Sequence, residues 1–190
     1  MSLTNTELED LAKRMCVSLH RVCFKDELDE ELLVYNVGYI INLEDEFSED
    51  GQRNPGSHWC CFFVKKNPKG SIEPIYFDPF GIPPPQIVLK FCKRNHIPYN
   101  TIDIQSIVVG TCGFFCLSFL YYISVYPERT QNLYDDCEHY TELFYDLSKS
   151  KNYQHNDQVL KLFFQSSDKS IRDKNPVKEH EMIFIPTENK

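Results

Sequence analysis

The chain has 190 residues, enough for one domain with a hydrophobic core and too few for two. Its formal net charge of −8 disfavours nucleic acid as a partner, because an acidic surface repels phosphate backbones. We therefore expect a single domain over residues 1–190, with residues 166–190 as a peripheral tail.

The first ten residues and the eight cysteines bear on the cellular compartment. Residues 1–10 are polar and acidic and lack the basic-then-apolar order of a signal peptide. No run approaches the roughly 18 apolar residues of a membrane span, so a membrane partner is not expected. These features predict an intracellular protein whose thiols are reduced.

The first predicted element is an amphipathic helix. Residues 4–7 supply capping groups, and the apolar positions that follow at helical spacing are Leu8, Leu11, Ala12, Met15 and Leu19. Residues 32–43 fit either a strand or a short helix, since their periodicity does not decide. Residues 44–55 are acidic and rich in Gly, Pro and Asn, as expected of an exposed loop.

Two apolar runs, 57–64 and 72–77, flank a polar loop and predict a β-hairpin. The start of the first strand of a hairpin lies near the end of the second. His58 and Asp78 occupy those two ends, so an imidazole and a carboxylate are expected to lie in contact.

The remaining elements are predicted from periodicity and composition. Consecutive prolines at 83–85 exclude a helix and favour extended backbone. Helical patterns cover residues 86–94, 134–147 and 156–165, a strand is expected at 102–104, and residues 182–185 fit an edge strand.

The stretch from Gln105 to Leu117 contains a candidate nucleophile. The apolar run that begins at Cys112 is long enough for a buried helix, and Thr111 is well placed to cap it. Unpaired N–H groups and the positive end of the helix dipole would favour a thiolate at Cys112. Gly113 removes a side chain beside the sulfur, which would let a substrate backbone come close.

Four side chains meet the needs of thiol proteolysis. His58 can take the proton of Cys112, and Asp78 can fix the tautomer of the imidazole and stabilise its charged form. The side-chain amide of Gln105 and the backbone N–H of Cys112 can form an oxyanion hole.

Each of these residues also has a purely structural interpretation. Cys112 fits a core position, His58 a hydrogen-bonded core histidine, Asp78 a turn before a proline and Gln105 a surface amide. A different class of protein, a zinc-binding module, would use ligands from the set His58, Cys60, Cys61, Cys112 and Cys116. Adjacent cysteines on a strand point to opposite faces, so we expect no metal site.

Four strings carry a resemblance to a known family: Gly56-Ser57-His58-Trp59, Tyr76-Phe77-Asp78-Pro79-Phe80-Gly81, Gln105-Ser106 and Cys112-Gly113-Phe114-Phe115-Cys116. Together they resemble the adenovirus endopeptidase (adenain) family, within the wider group of SUMO- and ubiquitin-like-specific cysteine proteases. The resemblance is strongest between residues 56 and 127.

The resemblance implies an α+β, permuted papain-like cysteine protease fold. A mixed or antiparallel central sheet would be flanked by helices, with the nucleophile at the N-terminus of a buried helix. His58, Asp78 and Cys112 would be catalytic, Gln105 would form the oxyanion hole, and Trp59 and Gly113 would border the substrate cleft. Trp59 would pack beside the imidazole of His58.

The resemblance further implies a maturation protease that cleaves viral structural precursors at Gly-Gly or Gly-X sites. It would act in the nucleus or a cytoplasmic virus factory of an infected cell, and in the virion. The source would be a divergent DNA virus or a Polinton/Maverick-type element. The alternative is a deubiquitinase or SUMO protease of the same fold. The spacing from Gln105 to Cys112 and Thr111 in place of an aspartate favour the adenovirus type.

The chain departs from the family in its expected activators. Adenovirus enzymes are basic and are stimulated by DNA and by a viral peptide joined through a disulfide. The acidic charge argues against DNA activation here, and Cys92 lies near but not at the position of the peptide-linking cysteine. The sequence requires no cofactor and leaves an activating viral peptide open.

Overall fold

The computed structural model describes residues 3–29, 33–106, 110–125, 132–149 and 152–167. In chain order the elements are α1 (Asn5–Met15), β1 (Leu19–Phe24), a 3-10 helix (Lys25–Glu27), β2 (Val37–Asn42), β3 (Trp59–Lys66), β4 (Ile72–Phe77), α2 (Gln86–Phe91), α3 (Cys112–Val125), α4 (Leu133–Thr141) and α5 (Tyr153–Ser167). The fold is therefore α+β, as predicted.

The four strands form one mixed sheet in the order β1-β2-β3-β4. β1 pairs with β2 in parallel, whereas β3 pairs with β2 and with β4 in antiparallel fashion. Residues of β3 alternate between two hydrophobic clusters: Cys61 packs on the side of α1, α3, α4 and α5, and Cys60 on the side of α2. Both faces of the sheet are thus covered by helices.

Helix α3 lies inside the larger of the two clusters. Its side chains are buried around most of its circumference, as expected of a helix that is apolar on every side. Phe119 stacks on Phe77 of β4 at 4.5 Å between ring centroids, and Tyr140 of α4 packs on both rings. None of the described helices combines the length and apolar character needed to span a membrane.

The predicted N-terminal helix is confirmed up to Met15. Thr4 caps it by accepting the Glu7 N–H at 3.3 Å, and the Glu7 carboxylate accepts the Thr4 N–H at 2.9 Å. The helix stops where Cys16 adopts a left-handed conformation, with φ of 58°. The prediction that Leu19 continues the helix is wrong, because Leu19 begins β1.

The hairpin prediction is confirmed by the pairing of β3 with β4, and residues 32–43 contain a strand, β2, and no described helix. The strand predicted at 102–104 is wrong, since this segment is irregular and is held by single hydrogen bonds such as Ile104 N–H to the Pro79 carbonyl at 2.9 Å. Helices α2 and α4 are shorter than predicted, and the strand predicted at 182–185 lies outside the described residues.

We predict that Tyr140→Phe lowers the free energy of unfolding by about 1 kcal/mol. The buried hydroxyl of Tyr140 bonds to the Ser118 Oγ at 2.6 Å and to the Phe115 carbonyl at 3.3 Å, so its removal takes both bonds from α3. Urea unfolding would measure the change. Tyr153→Phe, at a side chain that is 45% exposed, is the control and should leave stability unchanged. Equal effects of the two substitutions would contradict the prediction.

Candidate active site

Strand pairing places a histidine beside a carboxylate. His58 directly precedes β3 and Asp78 directly follows β4, and the last backbone pair of the two strands is Cys61 with Phe77. The Nε2 atom of His58 lies 3.0 Å from Oδ1 and 3.1 Å from Oδ2 of Asp78. The hairpin therefore brings together the two side chains that were predicted to meet.

The carboxylate of Asp78 is fully buried, with no exposed side-chain area. Besides His58, it accepts the backbone N–H of Phe80 at 2.8 Å on Oδ1. The ring of Phe80 lies against the imidazole of His58 at 4.7 Å between centroids. The Asp78 turn thus supplies both a hydrogen-bond acceptor for the imidazole and an apolar wall beside it.

The thiol of Cys112 lies at the start of α3 and is surrounded by hydrogen-bond donors. Its Sγ accepts the backbone N–H of Trp59 at 3.4 Å, and it is hydrogen-bonded to the His58 ring and to the backbone N–H of Gly113. Because Nε2 of His58 binds Asp78, the nitrogen available to the sulfur is Nδ1. His58 therefore bridges the sulfur and the carboxylate.

These contacts raise the pKa of His58 and lower the pKa of Cys112. Burial favours the neutral imidazole, but hydrogen bonds and charge from Asp78 and Cys112 outweigh it and raise the pKa of His58 from 6.5 to about 9. Burial also opposes the thiolate of Cys112, yet His58 and the N–H of Trp59 lower the pKa of this thiol. The site favours an imidazolium–thiolate pair at neutral pH.

Cys116 lies one turn further along α3 and is in a different chemical state. It is fully buried, its Sγ donates to the Trp59 carbonyl at 3.4 Å, and burial raises its pKa well above that of an ordinary thiol. Of the two cysteines at the start of α3, the environment activates only Cys112.

The other predicted site residues are also buried. Gln105 is 3% exposed, so it is not a surface amide, and its role as an oxyanion donor stays a prediction. Trp59 is 3% exposed, and its indole N–H donates to the Leu3 carbonyl at 2.9 Å. A Cβ added to Gly113 would meet Leu8 Cδ2 at 3.0 Å and Trp59 Cδ1 at 3.5 Å. That side of Gly113 is therefore filled by the chain itself.

The cysteines considered as alternative zinc ligands lie on two elements, Cys60 and Cys61 on β3 and Cys112 and Cys116 on α3. Cys60 and Cys61 lie on opposite faces of β3, as their adjacency predicts. Within the described ranges, no cluster of three or more His, Cys, Asp or Glu side chains is arranged to hold a metal ion. Cys92 is fully buried, and burial raises its pKa to about 12.

Three features of the site were not anticipated. The backbone N–H of Trp59 donates to the sulfur, the ring of Phe80 lies against the imidazole, and the side chain of Asn100 binds the main chain of Asp78. The contact of Phe80 with the imidazole could have been predicted, because Phe80 lies only two residues after Asp78. Asn100 carried none, because a single amide in an irregular segment follows no periodic pattern.

No family model matches the chain, and no curated protein matches it in sequence. Among solved structures, the chain is similar to that of the effector protein XopD of Xanthomonas campestris bound to ubiquitin. The two chains are 15% identical over 65% of this chain and 74% of that chain, with a TM-score of 0.40.

We predict that the rate at which iodoacetamide alkylates Cys112 rises with pH and reaches half of its maximum below about 8.5, the pKa of a free thiol. The His58 imidazolium stabilises the thiolate, so the reactive pair exists between the lowered pKa of Cys112 and about 9, where His58 loses its proton. Peptide mass spectrometry after timed alkylation gives the pH profile of this one cysteine.

Asp78→Asn should move the midpoint of Cys112 upward, because a neutral amide stabilises the imidazolium less than a carboxylate does. The urea-unfolded chain is the control, in which the thiol has no partners. A folded-state profile that overlays the unfolded one would contradict the prediction.

Proposed function

We propose that this protein is a cysteine endopeptidase with Cys112 as nucleophile, His58 as general acid and base, and Asp78 as the residue that orients His58. The observation that carries the proposal is the chain of contacts from the Cys112 sulfur through the His58 ring to the buried Asp78 carboxylate. A structural cysteine in a core would have no reason for a lowered pKa.

In the first half of the proposed reaction, the Cys112 thiolate attacks the scissile carbonyl carbon. The carbonyl oxygen becomes an oxyanion, for which the Gln105 side chain and the Cys112 backbone N–H are the proposed donors. One such donor is typically worth about 10²–10³ in rate. His58 then gives its proton to the leaving amine, and a thioester remains on Cys112.

In the second half, water attacks the thioester and His58 takes a proton from it. The carbon–sulfur bond breaks, which releases the carboxylic acid product and restores the thiolate beside the imidazolium. Asp78 holds Nε2 throughout, so the ring keeps Nδ1 directed at the sulfur. General acid and base catalysis of this kind contributes about 10²–10⁴ in rate.

We infer a preference for glycine at the scissile bond from the crowding of the site. Cys112 is only 3% exposed, and Trp59, the residue after His58, is buried to the same degree. Side chains of the substrate near the sulfur would collide with these walls, whereas glycine presents only backbone. Gly-Gly and Gly-X sequences fit such a cleft.

Two substrate classes contain such sites. Viral structural precursors are favoured by the sequence resemblance to adenovirus endopeptidases, with action in the infected cell and the virion. Ubiquitin-like modifiers also end in Gly-Gly, and the crowding at Cys112 suits them equally. The second class is therefore proposed beside the first.

We further propose that no activating peptide is needed to assemble the triad, and the contacts that join Cys112, His58 and Asp78 support this proposal. A peptide joined through Cys92 would have to open the hydrophobic cluster on the α2 side of the sheet, where this thiol is fully buried. We accordingly propose a protease that is active without DNA and without a disulfide-linked activator at Cys92.

We predict that Cys112→Ala abolishes cleavage with little effect on stability, because the variant loses only the nucleophile. Cys116→Ala is the matched control on the same helix. It should retain cleavage and lose about 1–2 kcal/mol of unfolding free energy, because a buried side chain is truncated. Turnover of a Gly-Gly peptide and urea unfolding measure the two effects. Loss of cleavage in Cys116→Ala alone would reassign the nucleophile.

A second prediction separates the substrate classes. Ubiquitin and SUMO that carry a C-terminal electrophile should form a covalent adduct with the wild-type chain, and not with Cys112→Ala, if modifiers are substrates. A peptide library with glycine varied on each side of the scissile bond tests the precursor class in parallel. The peptidase assignment would be refuted if the wild-type chain reacted with neither the modifiers nor the peptides, although its Cys112 showed the predicted reactivity toward iodoacetamide.

A further inference from the structure

The main chain of Asp78 is bound on both sides by one buried side chain. The Asp78 N–H donates to Oδ1 of Asn100 at 2.9 Å, and Nδ2 of Asn100 donates to the Asp78 carbonyl at 2.6 Å. The same Nδ2 also donates to the Ile102 carbonyl at 3.2 Å. Asn100 is 4% exposed, so water does not supply these bonds.

Asp78 needs such a partner because the strand ladder ends one residue earlier. Phe77 is the last residue of β4 to pair with β3, and the chain turns immediately afterwards. Gly81 N–H closes the turn on the Asp78 carbonyl at 2.8 Å, but no turn contact reaches the Asp78 N–H. Without Asn100, a fully buried N–H would lose its partner, which typically costs about 1–3 kcal/mol.

The segment that carries Asn100 is fixed beside β4. Tyr76 N–H donates to the Pro98 carbonyl at 3.0 Å, and Tyr76 and Tyr99 form a parallel bridge. The backbone N–H of Asn100 also contacts the thiol of Cys137 on α4. The amide of Asn100 is thus delivered to Asp78 by a rigid neighbour.

We propose that Asn100 is a positioning residue, which holds the backbone of Asp78 so that the carboxylate stays on Nε2 of His58. This inference rests on the proposed function, since it concerns the same site. The side chain of Asn100 binds Asp78 and Ile102, so it acts on His58 through Asp78. The groups that face His58 are the Asp78 carboxylate, the Cys112 thiol and the Phe80 ring.

The chain contains a matched control for this proposal. Asn156 is 1% exposed and binds Tyr145 in the same way: it accepts the Tyr145 N–H at 2.8 Å and donates to the Tyr145 carbonyl at 2.8 Å. It also donates to a further carbonyl, that of Ile104, at 2.9 Å. Both buried asparagine side chains therefore make three hydrogen bonds to the main chain, but only Asn100 binds a residue that contacts His58.

The readout is the pKa of His58, followed by NMR of the histidine ring protons in the folded chain. Six histidines are present, and His58→Gln assigns the signal. Rates of cleavage are a poorer readout, because Asn156 binds the residue before Gln105 and could alter turnover by another route. Urea unfolding is measured in parallel on each variant.

Asn100→Ala should lower the His58 pKa by about 1 unit or more, in the same direction as Asp78→Asn, because the carboxylate is no longer held on the ring. Asn156→Ala should lose similar stability and keep the wild-type pKa. Asn100→Ser, which retains a small polar group, should give a smaller shift and serves if the alanine variant does not fold.

Two results would overturn the inference: an unchanged His58 pKa in the folded Asn100 variants, or an equal fall in Asn156→Ala. Failure of the proposed function looks different. In that case His58 would have the same pKa in Asp78→Asn as in the wild-type chain, which would mean that no coupling between His58 and Asp78 exists for Asn100 to support.

Discussion

A buried carboxylate must be kept within hydrogen-bonding distance of an imidazole, and most of the local structure around the site serves that contact. Asp78 has no exposed side-chain area, so its charge is stabilised only by the partners that the fold supplies. Those partners are His58, whose Nε2 lies near both carboxylate oxygens, and the Phe80 N–H, which donates to Oδ1. The hairpin of β3 and β4 brings Asp78 close to His58, and the side chain of Asn100 binds the backbone of Asp78.

The sulfur is placed by a different set of constraints. Cys112 begins α3, which is packed against β3 and surrounded by α1, α4 and α5, so the position of its first residue is set by the whole core. The Trp59 N–H reaches the sulfur from the start of β3, one residue after His58. The segment that carries His58 into β3 thus also binds the sulfur of Cys112, which couples the positions of the two side chains to a single element.

The parts of the site that could be predicted are those with short-range causes. His58 and Asp78 were expected to meet because they close the two ends of one hairpin, and an N-terminal position for Cys112 followed from the apolar run after it. The contact between His58 and Cys112 spans more than fifty residues, so no short-range pattern predicted it, and it was expected from the chemistry of the side chains together with the family resemblance. Asn100 was missed because its importance comes from one contact, with the main chain of Asp78, and no pattern in the sequence indicates that contact.

The errors in the predicted elements have physical causes as well. Leu19 fits the spacing of α1, but the left-handed Cys16 ends the helix first, and the β1 strand that follows was not recognised. Ile102 and Ile104 alternate like strand residues, yet their segment is fastened by side-chain bonds from Asn100 and Asn156 instead of by a ladder. Periodicity reports burial, and burial alone does not determine backbone pairing.

The bond between the Trp59 indole and the Leu3 carbonyl affects how the protein should be produced. Leu3 lies against Trp59 and close to Gly113, the residue after Cys112, so an affinity tag or fusion partner joined ahead of Leu3 would start near Cys112. Under the proposed function, a tag there would crowd the approach to the sulfur. Purification handles for biochemical work therefore belong at the other terminus, or need to be removed before assays.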